Sequence, residues 1–293
     1  MTILQAIFLG LVQGLTEFIP VSSTAHLVFA ARVINLYGGT DKTLQAEQTT
    51  ATIAVIQLGT LLAVLIYFAP DIVNILRAFV RDHFALLSGR NQLGQPKFSR
   101  DAWLGWLVIM GSLPVGTVGL VLKKHIEGPF TKNLWVIATM MIVVGVLMMI
   151  AELVGKRDHG MDRLRVSDAL AVGSAQVLAL IPGSSRSGST IMGGLFAGLT
   201  RETAARFSFL LSIPAIAASG LLELKEAVAK LPAGSYGSLA VATVVSGVVG
   251  YASIWFLLRY LRTHSTGIFI VYRVIVGIAI LLGLAMGYMS ASI

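Results

Sequence analysis

Two short polar segments carry most of the side chains in this sequence that could do chemistry, and both lie inside apolar stretches. The first contains Glu17 and His26, and the second contains Arg186. Charged and ionisable residues are costly in hydrocarbon-compatible sequence, so each of the three is a functional candidate. Each segment runs Gln, apolar residues, then Ile-Pro-x-Ser-Ser, in the stretches Gln13-Gly-Leu-Thr-Glu17-Phe-Ile-Pro20-Val-Ser22-Ser23-Thr24-Ala-His26 and Gln176-Val-Leu-Ala-Leu-Ile-Pro182-Gly183-Ser184-Ser185-Arg186-Ser187-Gly188-Ser189-Thr190.

The first segment offers oxygen ligands and a nucleophile–base pair. Gln13 and Glu17 are four residues apart and share one helix face, where an amide and a carboxylate can hold a hard divalent cation with help from water and substrate oxygens. Gln13 as a bridge between helices is the alternative. His26 lies three residues after Ser23, so the two could act as base and nucleophile. A histidine that only packs is the alternative there.

The second segment offers an anion site. Serines and threonines after a proline are typical of helix starts, and helix N-termini bind anions through free N–H groups. The guanidinium of Arg186 matches phosphate oxygens, although a structural ion pair with Glu17 is a second interpretation. Together the segments suit phosphoryl transfer, in which positioning and charge neutralisation do most of the work. The hydroxyl residues concerned are Ser22, Ser23 and Thr24, then Ser184, Ser185 and Ser187.

The composition is that of a membrane protein. Of the 293 residues, 56% are hydrophobic and only 12% are charged, whereas soluble domains carry about 25% charged residues. The net charge of +8 is therefore no sign of nucleic-acid binding, because Lys and Arg collect in cytoplasmic loops of such proteins. Cysteine is absent, which excludes disulfides, thiol nucleophiles and Cys-based metal sites.

The apolar stretches predict an all-α polytopic membrane protein. A spanning helix needs about 20 apolar residues. Six stretches are candidate spans, the fourth of them short, while residues 1–34 and 167–200 hold shorter pieces broken by Pro and Ser clusters. Broken backbone at membrane depth must be buried in protein or line a wet cavity, so these two regions are predicted to be re-entrant helical hairpins. The expected spans are 48–70, 102–122, 133–151, 207–222, 231–258 and 274–293.

The order of these elements predicts an inverted-topology repeat in a single membrane domain, with halves at about 1–154 and 166–293. Three spans separate the hairpins, so the hairpins enter from opposite sides, and the site is expected where they meet near the midplane. The loops 77–100 and 155–165 are richer in Lys and Arg than 123–132 and 225–230. This excess places the first two loops in the cytoplasm and both termini outside.

With these motifs the sequence resembles the bacterial undecaprenyl-diphosphate phosphatases, the bacitracin-resistance protein family. The resemblance rests on the two polar segments above and covers essentially the whole chain. Further similar segments are Val55-Ile-Gln57-Leu-Gly59, Phe207-Ser-Phe-Leu-Leu-Ser-Ile-Pro214 and Tyr272-Arg273. It implies an inner-membrane phosphatase that regenerates the lipid carrier of cell-wall synthesis from undecaprenyl diphosphate, with Mg²⁺ or Ca²⁺ as cofactor and a site open to the periplasmic side.

The resemblance also implies roles for individual residues. Glu17 would help to bind the cation, with Gln13 and Gln57 in support, and Ser23 or His26 would be the nucleophile. The family's first motif begins with Glu or Gln, and Gln13 leaves Glu17 as the only acid in that hairpin. Ser23 with His26 as its base is the preferred pair. The diphosphate would be held by Arg186 together with Ser185, Ser187 and Thr190.

Three other functions compete with this prediction. Inverted repeats and broken helices are also typical of transporters, so a polyprenyl-phosphate transporter or flippase could use the same anion site. A second superfamily of lipid phosphatases places a histidine six residues after its arginine, and Met192 occupies that position here. A purely structural membrane protein would leave three ionisable residues in apolar hairpins unexplained. Membrane lipids are expected neighbours, and a homodimer stays open.

Overall fold

The computed structural model describes residues 1–38, 41–89, 98–122, 133–232 and 234–291, with the side chains of 42, 219 and 221–229 left out of the description. The described residues form α-helices, two short 3₁₀ turns and no β-strand. The helices are α1 (Ile3–Phe18), α2 (Ser23–Val33), α3 (Lys42–Tyr67), α4 (Ala69–Leu87), α5 (Arg100–Val121), α6 (Leu134–Val154), α7 (Val166–Val177), α8 (Arg186–Phe196), α9 (Arg201–Lys230), α10 (Tyr236–Leu261) and α11 (Gly267–Ala285).

Five of these helices are long and apolar enough to cross a membrane, namely α3, α5, α6, α10 and α11. The sixth expected span, 207–222, lies within α9, and part of that helix has side chains outside the description. The outward faces of the spanning helices carry large apolar side chains that are more than half exposed. Such faces belong against lipid. Examples are Leu62, Ile66, Val244, Val248, Ile275 and Leu282.

One prediction about the connections was wrong. Much of the segment 77–100, expected to be a charged loop, belongs to α4, which begins at Ala69 directly after α3 ends. The faces of α4 differ in exposure: Ala78 is buried, while Leu76, Val80 and Phe84 on the opposite face are exposed. Charges at Arg77 and Arg81 obscured this pattern in a search for uninterrupted apolar runs. The loop charges at 90–97 and 123–132 lie outside the described residues.

The predicted hairpins are confirmed as two pairs of short helices. Helix α1 has 16 residues and α2 has 11, while α7 has 12 residues, a 3₁₀ turn at Leu178–Leu180, and is followed by α8 with 11. At 1.5 Å per residue even α1 reaches only about 24 Å, which is short of the roughly 30 Å hydrocarbon core. Within each hairpin the two helices pack against each other.

The two halves of the chain pack crosswise, as an inverted repeat requires. Helix α1 packs mainly on α10 of the second half, and α7 packs on α5 of the first half. Glycines allow both contacts: a Cβ at Gly10 would lie 2.5 Å from the Ala242 carbonyl oxygen, and a Cβ at Gly173 would lie 2.1 Å from that of Gly111. Side chains at these sites would push the helices apart, so small residues set how closely each hairpin packs on the opposite half of the chain.

Candidate active site

The two hairpin turns meet at the centre of the fold, but they differ by one residue. Between α1 and α2 the turn spans residues 19–22, and between the 3₁₀ turn and α8 it spans 181–185. Each turn ends on a serine N-cap with positive φ, Ser22 at 77° and Ser185 at 67°. The additional residue is accommodated at Gly183, whose φ is +94°. Ser23 and Arg186 are therefore structurally equivalent, because each is the first residue of the second helix in its hairpin.

Glu17 and Arg186 join the two hairpins through an ion pair. The Arg186 guanidinium donates to Glu17 Oε1, and the two side chains are 17% and 6% exposed. Gln13 donates from Nε2 to Glu17 Oε2 at 3.0 Å and lies 3.3 Å from Thr60 Oγ1 of α3. The carboxylate is thus held on both oxygens. The ring of Phe18, in edge-on contact with another phenylalanine on α9, anchors the end of α1 that carries Glu17.

Arg273 of α11 fastens both turns from behind. Its side chain is completely buried, and its guanidinium donates to Pro20 O at 3.3 Å, Gly183 O at 3.1 Å and Ser184 O at 2.9 Å. Its Nε donates to Met141 O at 2.9 Å. A buried cation needs such partners, and the backbone carbonyl oxygens of the two turns are acceptors that satisfy it. One side chain therefore sets the spacing between the hairpins.

His26 makes its hydrogen bonds to residues other than Ser23. Its Nδ1 is 2.7 Å from the Ser22 carbonyl oxygen, and its Nε2 is 2.7 Å from the Tyr272 hydroxyl. The Ser23 hydroxyl makes no hydrogen bond to any residue that the structure describes, and it is half-buried. The predicted Ser23–His26 pair is therefore not formed in this structure, because both ring nitrogens already have partners.

The hydroxyl residues divide into an accessible and a buried group. Thr24 is exposed, and Ser185 is half-buried at the N-cap of α8, where its Oγ accepts from Gly188 N. Ser22 and Ser184 are buried, and their hydroxyls find no partner among the described residues. The accessible group can contact a ligand directly. The hydroxyls of Ser22 and Ser184 are buried polar atoms without a hydrogen-bond partner among the described residues, which is uncommon in folded proteins.

Three further predicted residues lie one layer behind the turns. Ser187 is buried and reaches across to the Ile19 carbonyl at 3.4 Å, which links the hairpins. Thr190 is fully buried and bonds the Arg186 carbonyl and Ser208 of α9. Thr190 thus holds α8 in place, and its hydroxyl faces the bundle. Gln57 is half-buried, and its backbone carbonyl accepts from the Thr60 hydroxyl. Its link to the site is therefore indirect, through Thr60.

An apolar groove of about 350 Å³ opens between α1, α2 and α11. His26 and Tyr272 provide the polar part of its wall. Among the predicted site residues, His26 lines the groove, so the groove borders the site at His26 and offers an apolar wall to an amphiphilic ligand. The apolar lining includes Phe8, Val12, Phe29, Val33 and Val276.

The oxygen atoms of Glu17 and Gln13 fit a divalent cation that takes part of its coordination from substrate phosphates. Gln13 Oε1 is buried and finds no hydrogen-bond partner in the described part of the chain, and the Glu17 carboxylate is next to it. Among the described residues, no three acidic, histidine or cysteine side chains are arranged so that they could hold a metal ion by themselves. Mg²⁺ is commonly held by one or two protein oxygens together with water and substrate phosphates, and Glu17 and Gln13 are the residues that would supply the protein oxygens here.

Sequence reasoning missed two contributors. Thr60 positions Gln13, and nothing in its local sequence distinguishes it from other threonines in α3. Arg273 gave a signal, since it is a charge inside an apolar span, but its contacts depend on two turns that are 253 and about 90 residues away along the chain.

The fold and the site together define an all-α polytopic membrane protein whose two broken helical hairpins build a buried arginine–carboxylate site. The family model described as "Bacitracin resistance protein BacA" matches residues 6–279. The chain belongs to this family.

Relatives of nearly full length agree with the family model. A protein named undecaprenyl-diphosphatase from Syntrophobacter fumaroxidans is 52% identical over 96% of this chain and 97% of its own length. Proteins of the same name from Chloroherpeton thalassium and Mycolicibacterium gilvum are 47% and 44% identical, and each match covers 99% of this chain and 100% of the relative.

Proposed function

We propose that this protein is an undecaprenyl-diphosphate phosphatase, which hydrolyses the lipid diphosphate to undecaprenyl phosphate and inorganic phosphate. The product is the lipid carrier of peptidoglycan synthesis, so the activity would recycle the carrier and give resistance to bacitracin. The observation that carries the proposal is the contact between Arg186 and Glu17, which joins the two hairpins, with an apolar groove that reaches His26 of the first hairpin. The names and high identity of the relatives support it.

The geometry supports a division of roles in the reaction. The groove would take the first part of the isoprenoid tail, which places the diphosphate at the turns. Arg186 would bind phosphate oxygens with its remaining N–H groups, and the N-terminus of α8 with Ser185 would add further donors. The hydroxyls of Ser184 and Ser22 are unpaired but buried, so they would contact the diphosphate only after a local rearrangement of the turns. Thr24 is exposed at the mouth.

Ser23 is the better nucleophile of the two predicted. Its hydroxyl is accessible and unengaged, whereas His26 has both nitrogens bonded. Attack by Oγ on the terminal phosphorus would break its bond to the bridging oxygen, which leaves with undecaprenyl phosphate. His26 would take the serine proton at Nε2, and water would then release inorganic phosphate from the serine. This role requires Nε2 to leave Tyr272.

A divalent cation, Mg²⁺ or Ca²⁺, would be held by Glu17 and Gln13 Oε1 and would neutralise phosphate charge. The ion pair between Glu17 and Arg186 is neutral overall. A bound cation would therefore give the site a net positive charge, which favours the anionic diphosphate.

The location of the protein is a further proposal. The family and the apolar helices support a multi-pass membrane protein. We place it in the bacterial inner membrane, with both termini and the mouth of the site on the periplasmic side. The orientation follows from the excess of Lys and Arg in 77–100 and 155–165, because such segments stay in the cytoplasm. The repeat halves at about 1–154 and 166–293 would form one domain. A homodimer is compatible with the exposed apolar faces, and light scattering in detergent separates it from a monomer.

The test is release of phosphate from undecaprenyl diphosphate by the purified protein in detergent. Wild type should be active, Arg186→Ala should lose about 100-fold or more in kcat/KM, and Arg262→Ala should match wild type. Arg262 is a suitable control because it makes an exposed ion pair with Glu202. Absence of release by wild type would favour the transporter alternative.

The nucleophile can be identified by trapping. With substrate labelled in the terminal phosphate, rapid acid quenching should retain label on the wild-type protein, because a phosphoserine is acid-stable and a phosphohistidine is not. Ser23→Ala should remove the label, and Thr24→Ala is the matched control. Label that survives only under alkaline quenching would assign the step to His26 instead.

A further inference from the structure

The contacts of His26 define which of its nitrogens carries the proton. Nδ1 faces the Ser22 carbonyl oxygen at 2.7 Å, and a carbonyl oxygen can only accept, so Nδ1 must be the donor. In the neutral ring Nε2 is then a lone pair. The Tyr272 hydroxyl, 2.7 Å away, must donate to it. The rest of the structure thus imposes one tautomer on this histidine.

Packing restricts the ring in the same orientation. The imidazole and the phenol are stacked, with centroids 5.6 Å apart and planes inclined by 13°. Both line the groove, and Tyr272 is 44% exposed there. The neighbour of Tyr272 in the chain is Arg273, which is bonded to carbonyls of both hairpin turns. The position of the phenol is therefore linked to the position of the two turns.

We propose that Tyr272 is the positioning residue of His26. The Ser22 carbonyl sets the Nδ1–H tautomer, and Tyr272 donates to Nε2 and holds the ring in the orientation that directs the Nε2 lone pair into the groove. There the hydroxyl that loses its proton during phosphoryl transfer can replace the phenol. The inference rests on the proposed phosphatase function, in which His26 is the base. Tyr272 itself neither gives up nor gains a proton in this role.

The proposal predicts a change in pH dependence with a definite sign. The phenol donates to the neutral form of His26, so its hydrogen bond favours the neutral form over the imidazolium. Without this hydrogen bond the pKa of His26 rises, so the imidazolium persists to higher pH. Because activity needs the neutral ring, the acidic limb of the pH profile should move to higher pH. Tyr272 of α11 is the titratable group that faces His26 in the groove, while α1 contributes Phe8 and Val12, which do not titrate.

The experiment compares Tyr272→Phe with wild type and with Tyr251→Phe as a matched control. Tyr251 lies on α10 beside Tyr67 and is similarly exposed. Loss of one hydrogen bond should lower kcat about 3- to 10-fold. KM should stay within about two-fold, because the phenylalanine keeps the stacked ring and the apolar wall. The acidic limb of the kcat profile should move to higher pH in Tyr272→Phe alone.

A spectroscopic measurement tests the contact without any assay. In protein labelled with ¹⁵N-histidine, the wild type should show His26 in the Nδ1–H form, assigned by the signal that His26→Ala removes. Tyr272→Phe should shift the Nε2 resonance, and Tyr251→Phe should not. An Nε2–H tautomer in wild type, or an unchanged kcat profile in an active Tyr272→Phe protein, would overturn the inference and leave the phosphatase intact. Wild type without phosphate release would instead overturn the proposed function, while the tautomer would still report on the contact.

Discussion

Arg186, the first residue of α8, donates a hydrogen bond to Glu17, which lies 169 residues earlier on α1. The pair is the most direct contact between the two hairpins, and both side chains are largely withdrawn from solvent. Neither hairpin could keep its charge in an apolar environment alone. The ion pair therefore couples assembly of the two halves to formation of the anion site.

A double-mutant cycle should reveal this coupling. Removing one partner of a buried pair leaves an uncompensated charge and typically costs about 3–5 kcal/mol, so Glu17→Gln and Arg186→Gln should each lower the detergent unfolding midpoint. The double variant should be more stable than the sum of the two losses predicts, while all three lack activity. Strictly additive losses of stability would show that the two residues do not interact.

Arg273→Lys should lose stability although the charge is retained. A lysine ammonium cannot reach the carbonyls of Met141, Pro20 and Ser184 together, whereas the guanidinium does. Loss of hydrogen bonds to a charged donor costs about 1.5–3 kcal/mol each. We expect a lower unfolding midpoint and a reduced kcat, because the turns are no longer held at one spacing. Arg259→Lys, on the exposed end of α10, is the control and should leave both quantities unchanged.

Gly183→Ala should disrupt the second turn. The φ of +94° is unfavourable for a residue with a Cβ, and that Cβ would lie 2.2 Å from the Ile137 carbonyl oxygen. The strain in φ alone is about 1–2 kcal/mol, and the contact with α6 adds to it. Thermal unfolding in detergent should show a clear loss of stability, together with loss of phosphate release.

Gly116→Ala is the matched control for that change. Gly116 lies inside α5, and a Cβ there would meet no other atom within 4 Å. Alanine is favoured over glycine in a helix by up to about 1 kcal/mol, so this variant should be as stable as wild type or slightly more stable. Equal losses in both variants would show that the positive φ and the contact with α6 are unimportant.

Gln13→Glu tests the cation site. A second carboxylate beside Glu17 adds a hard anionic ligand where Gln13 Oε1 is unpaired. We expect chelator to abolish phosphate release by wild type, and Gln13→Glu to need less Mg²⁺ for half-maximal activity. Gln48→Glu, also buried but on the first turns of α3, is the control. Unchanged Mg²⁺ dependence in Gln13→Glu would place the cation elsewhere.

Part of this architecture can be read from local patterns. The helical composition, the breaks at Pro20 and Pro182, and the resemblance between the two segments depend on neighbouring residues, so they could be predicted. Arg186 and Glu17 could be recognised because charges in apolar sequence are rare. Helix α4 was missed because its apolar residues occupy one face of a charged helix, and only its packing on α5 shows which face is buried.

The sequence by itself determined that the chain is a membrane protein with two broken hairpins, because hydrophobicity and helix breaking are local properties of the residues. Only the tertiary structure decided the partners: Arg273 binds both turns, Thr190 faces the bundle, and His26 bonds Tyr272 and not Ser23. Those contacts join residues up to 253 positions apart. They depend on how closely each hairpin packs on the opposite half of the chain and on the one-residue difference between the turns, which arise from packing across the whole fold.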